Sequence, residues 1–414
     1  MRVLYFEPKF ATPRRNAATR GYAFARHLVE NGHDVSVIAL DRRYLEPGRS
    51  TPTNGRLFDR ETVDGIDVIW TRIPYAQRFS KWKRVLSYGG YAAAAGIAAT
   101  RVPRPDVVYA SSTPLTVGID GIGAARARRV PFVFEIQDVW PDVPIELGFL
   151  TNRAEIAAAS WLERRLYDGA ARVVVCSESA TENLVAKGVP REKIVLIPNL
   201  AEVELFQSSE PNPGYFADLG LGGKFVALYA GAMGQANGVG QLVDAAKALR
   251  ELGDDRVAIV ALGNGSERPW LEEQAAILPN LRVPPPVARE AVAGIIRAAG
   301  ATITIYAPYP VLQTGSPNKF FDSLAAAKPV VVNTDGWLRR LAEENRAGLY
   351  VPAGDGRAMA QALVHLAADP DLAAELGRNG LALAEREFDG KLLAARFLET
   401  LEAATTPAAA AGVT

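Results

Sequence analysis

The sequence predicts an α/β protein built from two doubly wound, Rossmann-like domains in tandem. Strand and helix patterns alternate along almost all of its 414 residues, a length that suits two domains. The strand patterns are short, apolar and β-branched, as expected for strands buried on both faces of a parallel sheet. The alternation also restarts after a stretch rich in proline and glycine, residues 198–223, which predicts a second domain of the same class.

The N-terminal half contains the elements of one doubly wound sheet. Apolar runs and amphipathic periodicity alternate there, which favours parallel strands joined by helices. Strands are predicted at residues 3–6, 34–40, 68–72, 107–111, 132–136, 173–176 and 194–197, and helices at 19–30, 81–100, 117–128 and 154–169. A polar loop is predicted between the second and third of these strands.

The C-terminal half repeats this alternation. We interpret residues 198–223 as an interdomain linker because proline, glycine and polar residues dominate it. The predicted domains are residues 1–200 and 201–385, and residues 405–414 are expected to form a disordered tail. Strands are predicted at residues 225–229, 257–262, 302–306 and 330–332, and helices at 239–252, 289–299 and 317–327.

Composition excludes several classes of function. The 46 basic and 46 acidic residues balance, so no nucleic-acid partner is indicated. A single cysteine excludes a disulfide framework and suggests a reducing compartment. No signal peptide or membrane-spanning run is recognisable, so we expect a cytoplasmic protein. The three histidines are widely spread, so no metal site is expected.

The stretch 303–333 contains the most informative helix start. Ser316 suits the N-cap and Pro317 the first helical position, while Gly315 permits close approach of the backbone. Lys319 adds a cation beside free backbone N–H groups, which together predict a site for a phosphate or diphosphate. Asp322, three residues further on, could accept hydrogen bonds from a ribose. The alternative is an ordinary capped helix with Lys319 and Asp322 as a surface pair.

Two doubly wound domains imply a ligand cleft between the carboxyl edges of their sheets, so the loops that follow strands matter most. In the C-terminal half, the glycine-rich loop 231–240 could cradle phosphate oxygens, and residues 263–266 form a second backbone-lined corner next to Arg268. The proline run 283–287 could form a wall for a base. Glycine also closes tight turns and prolines fix loops, so the structural alternatives stay open. The predicted donor-binding residues are Gly231, Gly234, Asn237, Gly263, Gly265, Arg268, Gly315, Ser316, Asn318 and Asp322.

In the N-terminal half, the loop after the first strand is basic. Arg14, Arg15 and Arg20 suit an anionic ligand there, and a solvated charged loop is the alternative. Residues 81–88 could form an interfacial face that touches a bilayer, or a solvated helix with a buried seam.

The segment 135–150 combines acidic residues with an aromatic ring. Asp138, Trp140 and Asp142 follow a predicted strand, and a carboxylate beside an aromatic ring suits a sugar. Asp138 is expected first after the strand and deepest in the cleft, and we interpret it as the base that activates an acceptor. The alternative is that Asp138 caps the following turn.

Several segments together resemble family 4 retaining glycosyltransferases of the GT-B fold. The resemblance covers nearly the whole chain and includes HLVENGHDVSVIA, ASSTPLTVG, EIQDVWPDVPIELGFL, VLIPNL, YAGAMGQANGVGQLVDAA and SPNKFFDSLAAAKPVVV. Among bacterial enzymes, the chain looks most similar to those that add N-acetylamino sugars, such as N-acetyl-fucosamine, in O-antigen, lipopolysaccharide or capsule assembly. Two motifs of that subgroup occur here in order, D-x-W-P at 138–141 and S-P-x-K-x-x-(D/E) at 316–322.

The resemblance implies metal-independent transfer, with retention, of a sugar from a nucleotide diphosphate donor, expected to be a UDP-N-acetylamino sugar. Asp138 and Lys319 would be catalytic, Asp322 would bind the donor ribose, and a glycan or lipid-linked acceptor would lie on the N-terminal domain, at the inner face of the membrane in the lipid case. A C-terminal helix at 386–404 would pack back on that domain.

The chain departs from the family pattern at several positions, among them Asp138, which at best corresponds to a histidine often found near the acceptor cleft. Thr314 stands where many members carry the first glutamate of a Glu-x7-Glu pattern, and Ala232 and Asn237 stand about where an arginine and a lysine usually bind diphosphate. A nucleotide-sugar 2-epimerase and a non-catalytic sugar-binding protein are the alternative functions.

Overall fold

The computed structural model describes residues 1–12, 20–40, 57–73, 79 and 81–406. The chain divides into two compact units. The first unit is Met1–Pro198 with Lys391–Thr414, and the second is Asn199–Gly390.

The first unit contains an eight-stranded sheet flanked by helices. Its strand order is β3-β4-β2-β1-β5-β6-β7-β8, and every described pairing is parallel except that of β3 with β4. Strands β5 and β6 are buried along their whole length, as the apolar runs predict. The strands are β1 (Arg2–Phe6), β2 (Asp34–Leu40), β3 (Phe58–Val63), β4 (Ile66–Thr71), β5 (Val107–Ser112), β6 (Phe132–Ile136), β7 (Arg172–Val175) and β8 (Ile194–Leu196), and the α-helices are α1 (Arg20–Glu30), α2 (Lys81–Ala99), α3 (Val117–Arg128), α4 (Asp142–Glu146), α5 (Arg153–Gly169) and α6 (Glu178–Ala186).

Strand β3 corrects the expectation of a loop throughout this part of the chain. It pairs antiparallel with β4 at the edge of the sheet, and its side chains are only partly buried. A polar edge strand lacks the apolar run that marks a strand buried on both faces. The sequence pattern therefore does not predict this antiparallel hairpin.

The second unit contains a six-stranded, all-parallel sheet. Its order is β11-β10-β9-β12-β13-β14, so the chain reverses its direction of winding between β9 and β12. Ligands bind at such a reversal, outside the carboxyl ends of the strands. The strands are β9 (Phe225–Ala232), β10 (Val257–Asn264), β11 (Leu281–Arg282), β12 (Ala301–Thr304), β13 (Val330–Val332) and β14 (Gly348–Tyr350), and the α-helices are α7 (Val203–Ser208), α8 (Gly214–Asp218), α9 (Gly240–Glu251), α10 (Arg268–Ile277), α11 (Arg289–Ala298), α12 (Asn318–Ala325), α13 (Trp337–Glu344), α14 (Gly356–Ala368) and α15 (Pro370–Leu383).

Strand β10 shows how this sheet separates two hydrophobic cores. Ala258, Val260 and Leu262 belong to one buried cluster. The alternate residues, Ile259 and Ala261 among them, belong to the cluster on the opposite face. This follows from the two-residue period of a strand, and it accounts for the continuous apolar run in the sequence. Two doubly wound α/β units are thus confirmed.

Residues 199–223 are not the open linker that the composition predicts. They form α7 and α8 and belong to the second unit. Phe206 and Phe216, one from each helix, are buried in a core cluster of that unit. Burial of these two rings stabilises helices that are too short to form alone.

The last helix, α16 (Gly390–Thr405), returns to the first unit. Phe397 is fully buried, stacked on Phe24 of α1 with ring centroids 4.6 Å apart. Phe397 also packs edge-to-face with Tyr109 of β5, with ring centroids 4.8 Å apart. These contacts anchor the end of the chain to the N-terminal sheet.

Candidate functional site

Lys319 lies in an aromatic cage at the carboxyl edge of the second sheet. It is the second residue of α12, and its Nζ donates a hydrogen bond of 2.9 Å to the Tyr229 hydroxyl on β9. The same nitrogen lies 4.3 Å from the centroid of the Tyr229 ring and 5.6 Å from that of Tyr306, which follows β12. The cage therefore sits at the reversal between β9 and β12.

Burial changes the protonation of this lysine. It lowers the pKa of Lys319 from 10.5 to about 7, because the charged amine loses its hydration. Burial also raises the pKa of Tyr229 above its usual range, so its hydroxyl stays neutral. An incoming anion would favour the charged form of Lys319.

The start of α12 differs from the expectation in its capping. The helix begins at Asn318 with Pro317 at the N-cap, and no side chain caps it. Ser316 precedes the cap, and its Oγ accepts a hydrogen bond from the Asn199 backbone N–H at 3.3 Å. The predictions of Ser316 as the N-cap and Pro317 as the first helical residue are therefore wrong. Because no side chain caps α12, a ligand could reach the backbone N–H groups of its first turn.

Two predicted glycines lie on strands rather than in loops. The pairing of β9 with β10 continues to the ends of both strands, where Gly231 is opposite Gly263. A Cβ on Gly263 would lie 1.8 Å from the Gly231 carbonyl oxygen, and a Cβ on Gly231 would lie 3.2 Å from Cε of Lys319. Glycine at position 263 permits the strand pairing, and glycine at position 231 leaves room for the Lys319 side chain.

The loop after β9 is held by hydrogen bonds to its neighbours. The Asn237 side chain accepts a hydrogen bond from the Gly234 N–H at 3.1 Å. Gly238 follows with φ +61°, and a Cβ there would lie 2.8 Å from the Ala307 nitrogen, so glycine is required. A Cβ on Gly265, in the adjoining loop, would lie 2.2 Å from the Met233 carbonyl oxygen. The predicted Gly234, Asn237 and Gly265 thus belong to two loops packed against each other.

Arg268 is the first residue of α10, and its guanidinium forms hydrogen bonds to backbone carbonyl groups of two neighbouring segments. Its guanidinium donates to the Gly263 carbonyl at 2.6 Å and to the Pro284 carbonyl at 3.0 Å, and it pairs with Glu272 at 2.8 Å. These bonds join the end of β10 to the proline run.

Two of the remaining predicted donor residues lie beside Lys319 in sequence, at the same edge. A Cβ on Gly315 would lie 3.0 Å from the Tyr306 hydroxyl, so the absence of a side chain admits this ring. Asp322 is half-buried one turn into α12.

A buried pair of amides supports the cage, and sequence reasoning missed it. Asn333 accepts from the Tyr306 N–H at 2.9 Å, and its Nδ2 donates to Oε1 of Gln241 at 2.7 Å. The Gln241 amide in turn donates to the Pro352 carbonyl at 2.9 Å. Tyr306 is thereby fixed to the ends of β13 and β14. A buried polar residue directly after an apolar strand is the signal that could have pointed to Asn333.

At the carboxyl edge of the first sheet, Arg20 is part of a buried ion pair. It begins α1, is only 4% exposed, and contacts Glu135 of β6 at 3.2 Å. Its Nη2 also donates to the Ile197 carbonyl at 2.7 Å, and its Nη1 donates to the Pro198 carbonyl. The prediction of Arg20 as part of a basic loop is wrong, because it begins α1 and its guanidinium is buried, while its role in acceptor binding stays a prediction.

Glu135, which sequence reasoning did not single out, is the centre of this network. Its carboxylate is fully buried and accepts from the Tyr109 hydroxyl, from Ser111 at 2.9 Å and from Gln137 at 2.9 Å. Burial alone would raise the pKa of Glu135, but Arg20 and these donors lower it below its ordinary value. A single charged residue within an apolar strand was the available signal.

Glu7, directly after β1, is a second buried carboxyl at this edge. The Tyr5 hydroxyl donates to its Oε2 at 3.0 Å. Burial, and then the charge of Glu135, raises the pKa of Glu7 from 4.5 to about 7.

Substitution of Glu7 by glutamine should change how stability depends on pH. The folded protein keeps a proton on Glu7 between pH 4.5 and 7 that the unfolded chain releases. Wild-type stability therefore falls as pH rises through this window, by about 1–3 kcal/mol from this group. Melting temperatures of both proteins at pH 5 and pH 8 should show the variant gaining relative stability at pH 8. Glu30→Gln, at an exposed carboxylate of α1, is the control, and parallel curves for Glu7→Gln and wild type would contradict the expectation.

The three predicted residues of 138–142 have different surroundings. Gln137, not Asp138, is first after β6, and Asp138 is solvent-exposed, so the expectation that it lies deepest is wrong. Trp140 packs against the N-terminal core. Asp142 starts α4 and is paired with Lys187 at 2.9 Å. Asp142 thus has a structural partner, while Asp138 is open to solvent.

Arg14 and Arg15 lie outside the described residues, as do the side chains of Lys81, Trp82, Arg84 and Val85 within the segment proposed to touch a bilayer. Among the residues that the structure describes, no helix is both long and apolar enough to cross a membrane. Within the same ranges, no three or more His, Cys, Asp or Glu residues gather in a group that could hold a metal ion.

Comparison with known proteins assigns both halves of the chain. Residues 17–200 match the family described as glycosyl transferase 4-like domain, and residues 224–369 match glycosyl transferases group 1. WcaI of Escherichia coli (strain K12), named as a colanic acid biosynthesis glycosyl transferase, is 25% identical over 60% of this chain and 62% of its own length. The GDP-mannose-dependent alpha-mannosyltransferase of Mycobacterium tuberculosis (strain CDC 1551 / Oshkosh) is 27% identical over 80% of this chain and 78% of its own. The chain thus spans less than two thirds of the first of these relatives.

The solved structures support the same fold. HepE from Anabaena, determined in complex with UDP-glucose, superimposes with a TM-score of 0.70 at 17% identity, over 97% of this chain and 100% of its own. The two family matches together span well over half of the sequence. The chain belongs to the family 4-like glycosyltransferases of the GT-B fold.

Proposed function

We propose that this protein transfers a sugar from a nucleotide diphosphate donor to a glycan or lipid-linked acceptor. The observation that carries the proposal is the placement of Lys319 at the uncapped start of α12, against Gly231. Backbone N–H groups and a lysine together suit a diphosphate, whose charge grows as the sugar leaves. Comparison with known proteins gives no support to the epimerase alternative.

The donor is proposed to be a UDP-linked N-acetylamino sugar. HepE, of the same fold, was determined with UDP-glucose, which supports a uridine donor. The mycobacterial relative is named for GDP-mannose, which makes GDP the first competitor to test. The name of WcaI supports a role in polysaccharide assembly.

The donor would occupy the carboxyl edge of the second sheet. Lys319, the first-turn N–H groups of α12 and the glycine-lined ends of β9 and β10 would hold the diphosphate. Asp322 would accept hydrogen bonds from the ribose, as acidic residues do in dinucleotide-binding folds. Thr314 carries no charge, and its hydroxyl donates to the Val311 carbonyl at 2.6 Å. The diphosphate would thus rely on Lys319 and on backbone donors.

The acceptor would bind at the carboxyl edge of the first sheet, where Asp138 is exposed. In the reaction, the bond between the anomeric carbon and the diphosphate oxygen breaks, and the diphosphate leaves with its electron pair. The acceptor oxygen forms the new glycosidic bond and loses its proton to the Asp138 carboxylate. We propose retention at the anomeric carbon and no metal requirement, on the strength of the family resemblance.

A thermal-shift panel tests the donor class. The panel contains UDP, GDP, ADP and dTDP, each with and without magnesium. A nucleotide at one hundred times its Kd stabilises the folded state by about 2.7 kcal/mol, a shift of roughly 5–10 °C in a domain of this size. We expect a shift with UDP that magnesium does not change. A shift in melting temperature with GDP alone would show that the donor base is guanine rather than uracil. No shift with any of the four nucleotides would overturn the diphosphate assignment.

A further inference from the structure

Tyr229 contacts the Lys319 amine through both its hydroxyl and its ring. Its hydroxyl accepts from Lys319 at 2.9 Å and donates to the Ala232 carbonyl at the end of the same strand. The Tyr229 side chain is itself fully buried in the core of the second unit. Lys319 is therefore held by a rigid strand rather than by its own helix alone.

The groups around Lys319 hold it without a counter-charge from the cage. Tyr229 and Tyr306 contribute neutral rings. Glu267 acts electrostatically on Tyr229, and Asp322 lies three residues along α12 from Lys319. Burial is the cause of the lowered pKa of Lys319. The amine is thus only partly charged in the empty site near pH 7, and a bound anion would favour its charged form.

We propose that Tyr229 is a positioning residue, whose hydroxyl and ring aim the Lys319 amine at a diphosphate bound at the start of α12, so that donor binding takes up a proton at this lysine. The inference rests on the proposed function, since it assumes a diphosphate donor at this edge. It gives a role to Tyr229, the first residue of the segment YAGAMGQANGVGQLVDAA, to which the sequence analysis assigned none. A well-placed lysine would matter in a site where Ala232 and Asn237 stand about where the family resemblance implies an arginine and a lysine.

Calorimetric titration with UDP-N-acetylglucosamine tests the inference, because the diphosphate of this probe does not titrate near neutral pH. For the wild type, we expect affinity to fall about tenfold for each pH unit above 7, since the charged amine is depleted at that rate. Titration at pH 8.5 in two buffers of different ionisation enthalpy should show uptake of nearly one proton. Affinity independent of pH above 7 would overturn proton uptake.

Tyr229→Phe isolates the hydroxyl, since it keeps the ring. We expect about tenfold weaker binding at pH 7.5 and a pH profile with its midpoint at lower pH, because the cation loses its hydrogen-bond acceptor. Tyr215→Phe removes the hydroxyl of another tyrosine of the second unit, for which the described residues offer no hydrogen-bond partner, and should leave affinity and profile unchanged. Melting temperatures of both variants near that of the wild type establish that they fold.

Lys319→Arg is the second variant, because a guanidinium stays charged throughout the pH range of the titrations. The affinity of this variant for the probe should no longer depend on pH above 7. If the probe binds wild type, fails with Lys319→Met and binds Tyr229→Phe with the wild-type profile, the role of Tyr229 is wrong and the proposed function stands. If the probe does not bind the wild type, the proposed donor fails first.

Discussion

Lys319→Met should abolish binding of nucleoside diphosphates and lower the rate of sugar transfer by at least about a hundredfold, the range seen when one donor that stabilises a developing charge is removed. The amine is the cationic member of the proposed diphosphate site, and methionine keeps a similar length and apolar packing against Tyr229. Turnover with a UDP-N-acetylamino sugar and the thermal shift by UDP are the two measurements. A variant with wild-type turnover would refute the diphosphate assignment.

The same substitution should make the folded protein more stable, which separates loss of a site from loss of structure. The pKa of Lys319 is about 7 when folded and 10.5 unfolded. The unfolded chain therefore binds more protons between these values, and wild-type stability rises with pH through that window. Below pH 7 the amine is charged in both states, and the folded protein bears the full free-energy cost of burying that charge. Lys319→Met should therefore raise the melting temperature most at pH 6.5 and hardly at all above pH 10.5. Each kcal/mol corresponds to about 2–4 °C.

Lys328 offers a matched control. It follows α12 and precedes β13, at the opposite end of that helix from Lys319, and burial lowers its pKa as well. Lys328→Met should also raise the melting temperature at neutral pH. It should leave nucleotide binding unchanged, because it is remote from the carboxyl edge of the sheet. Equal loss of UDP binding in the two variants would show that the effect is not specific to the start of α12.

The sequence predicts the fold class and the buried central strands better than it predicts the edge strand β3 and the short helices α7 and α8. Strands buried on both faces, such as 132–136 and 330–332, have apolar runs whose limits match the structure. Strand β3 is not predicted because a half-exposed edge strand has no such apolar run. Helices α7 and α8 are not predicted because the surrounding prolines and glycines dominate the composition. One buried phenylalanine in each helix packs it against the core. In both cases tertiary packing, not local pattern, decides the element.

The candidate site shows the same division. Lys319 is recognisable because helix-start chemistry is local in sequence. Its partner Tyr229 lies 90 positions away, and no local rule connects the two. Arg20 and Glu135 are 115 positions apart, so the basic loop and the strand that contain them had to be interpreted separately. The sequence alone therefore places Arg20 in a basic loop suited to an anionic ligand, whereas the fold makes it a buried structural cation.

Arg20→Met should cause the largest loss of stability among these substitutions. Removal of one partner from a buried ion pair leaves an uncompensated charge, which costs about 3–5 kcal/mol. Here the remaining charge would be Glu135, fully buried, and the carbonyls of Ile197 and Pro198 would also lose their donor. At about 2–4 °C for each kcal/mol, the melting temperature should fall by roughly 10 °C.

Two further variants distinguish the charge from the packing. Arg26→Met makes the same substitution on α1, in an exposed pair with Glu30 at 2.8 Å, and should lower the melting temperature far less, because solvent screens this pair. Arg20→Met combined with Glu135→Gln removes both buried charges, while the glutamine oxygen can still accept from Tyr109. The double variant should recover part of the lost stability but not all, since the two carbonyls stay without their donor. If Arg20→Met and Arg26→Met melt at the same temperature, Arg20 is not the structural cation that its burial implies.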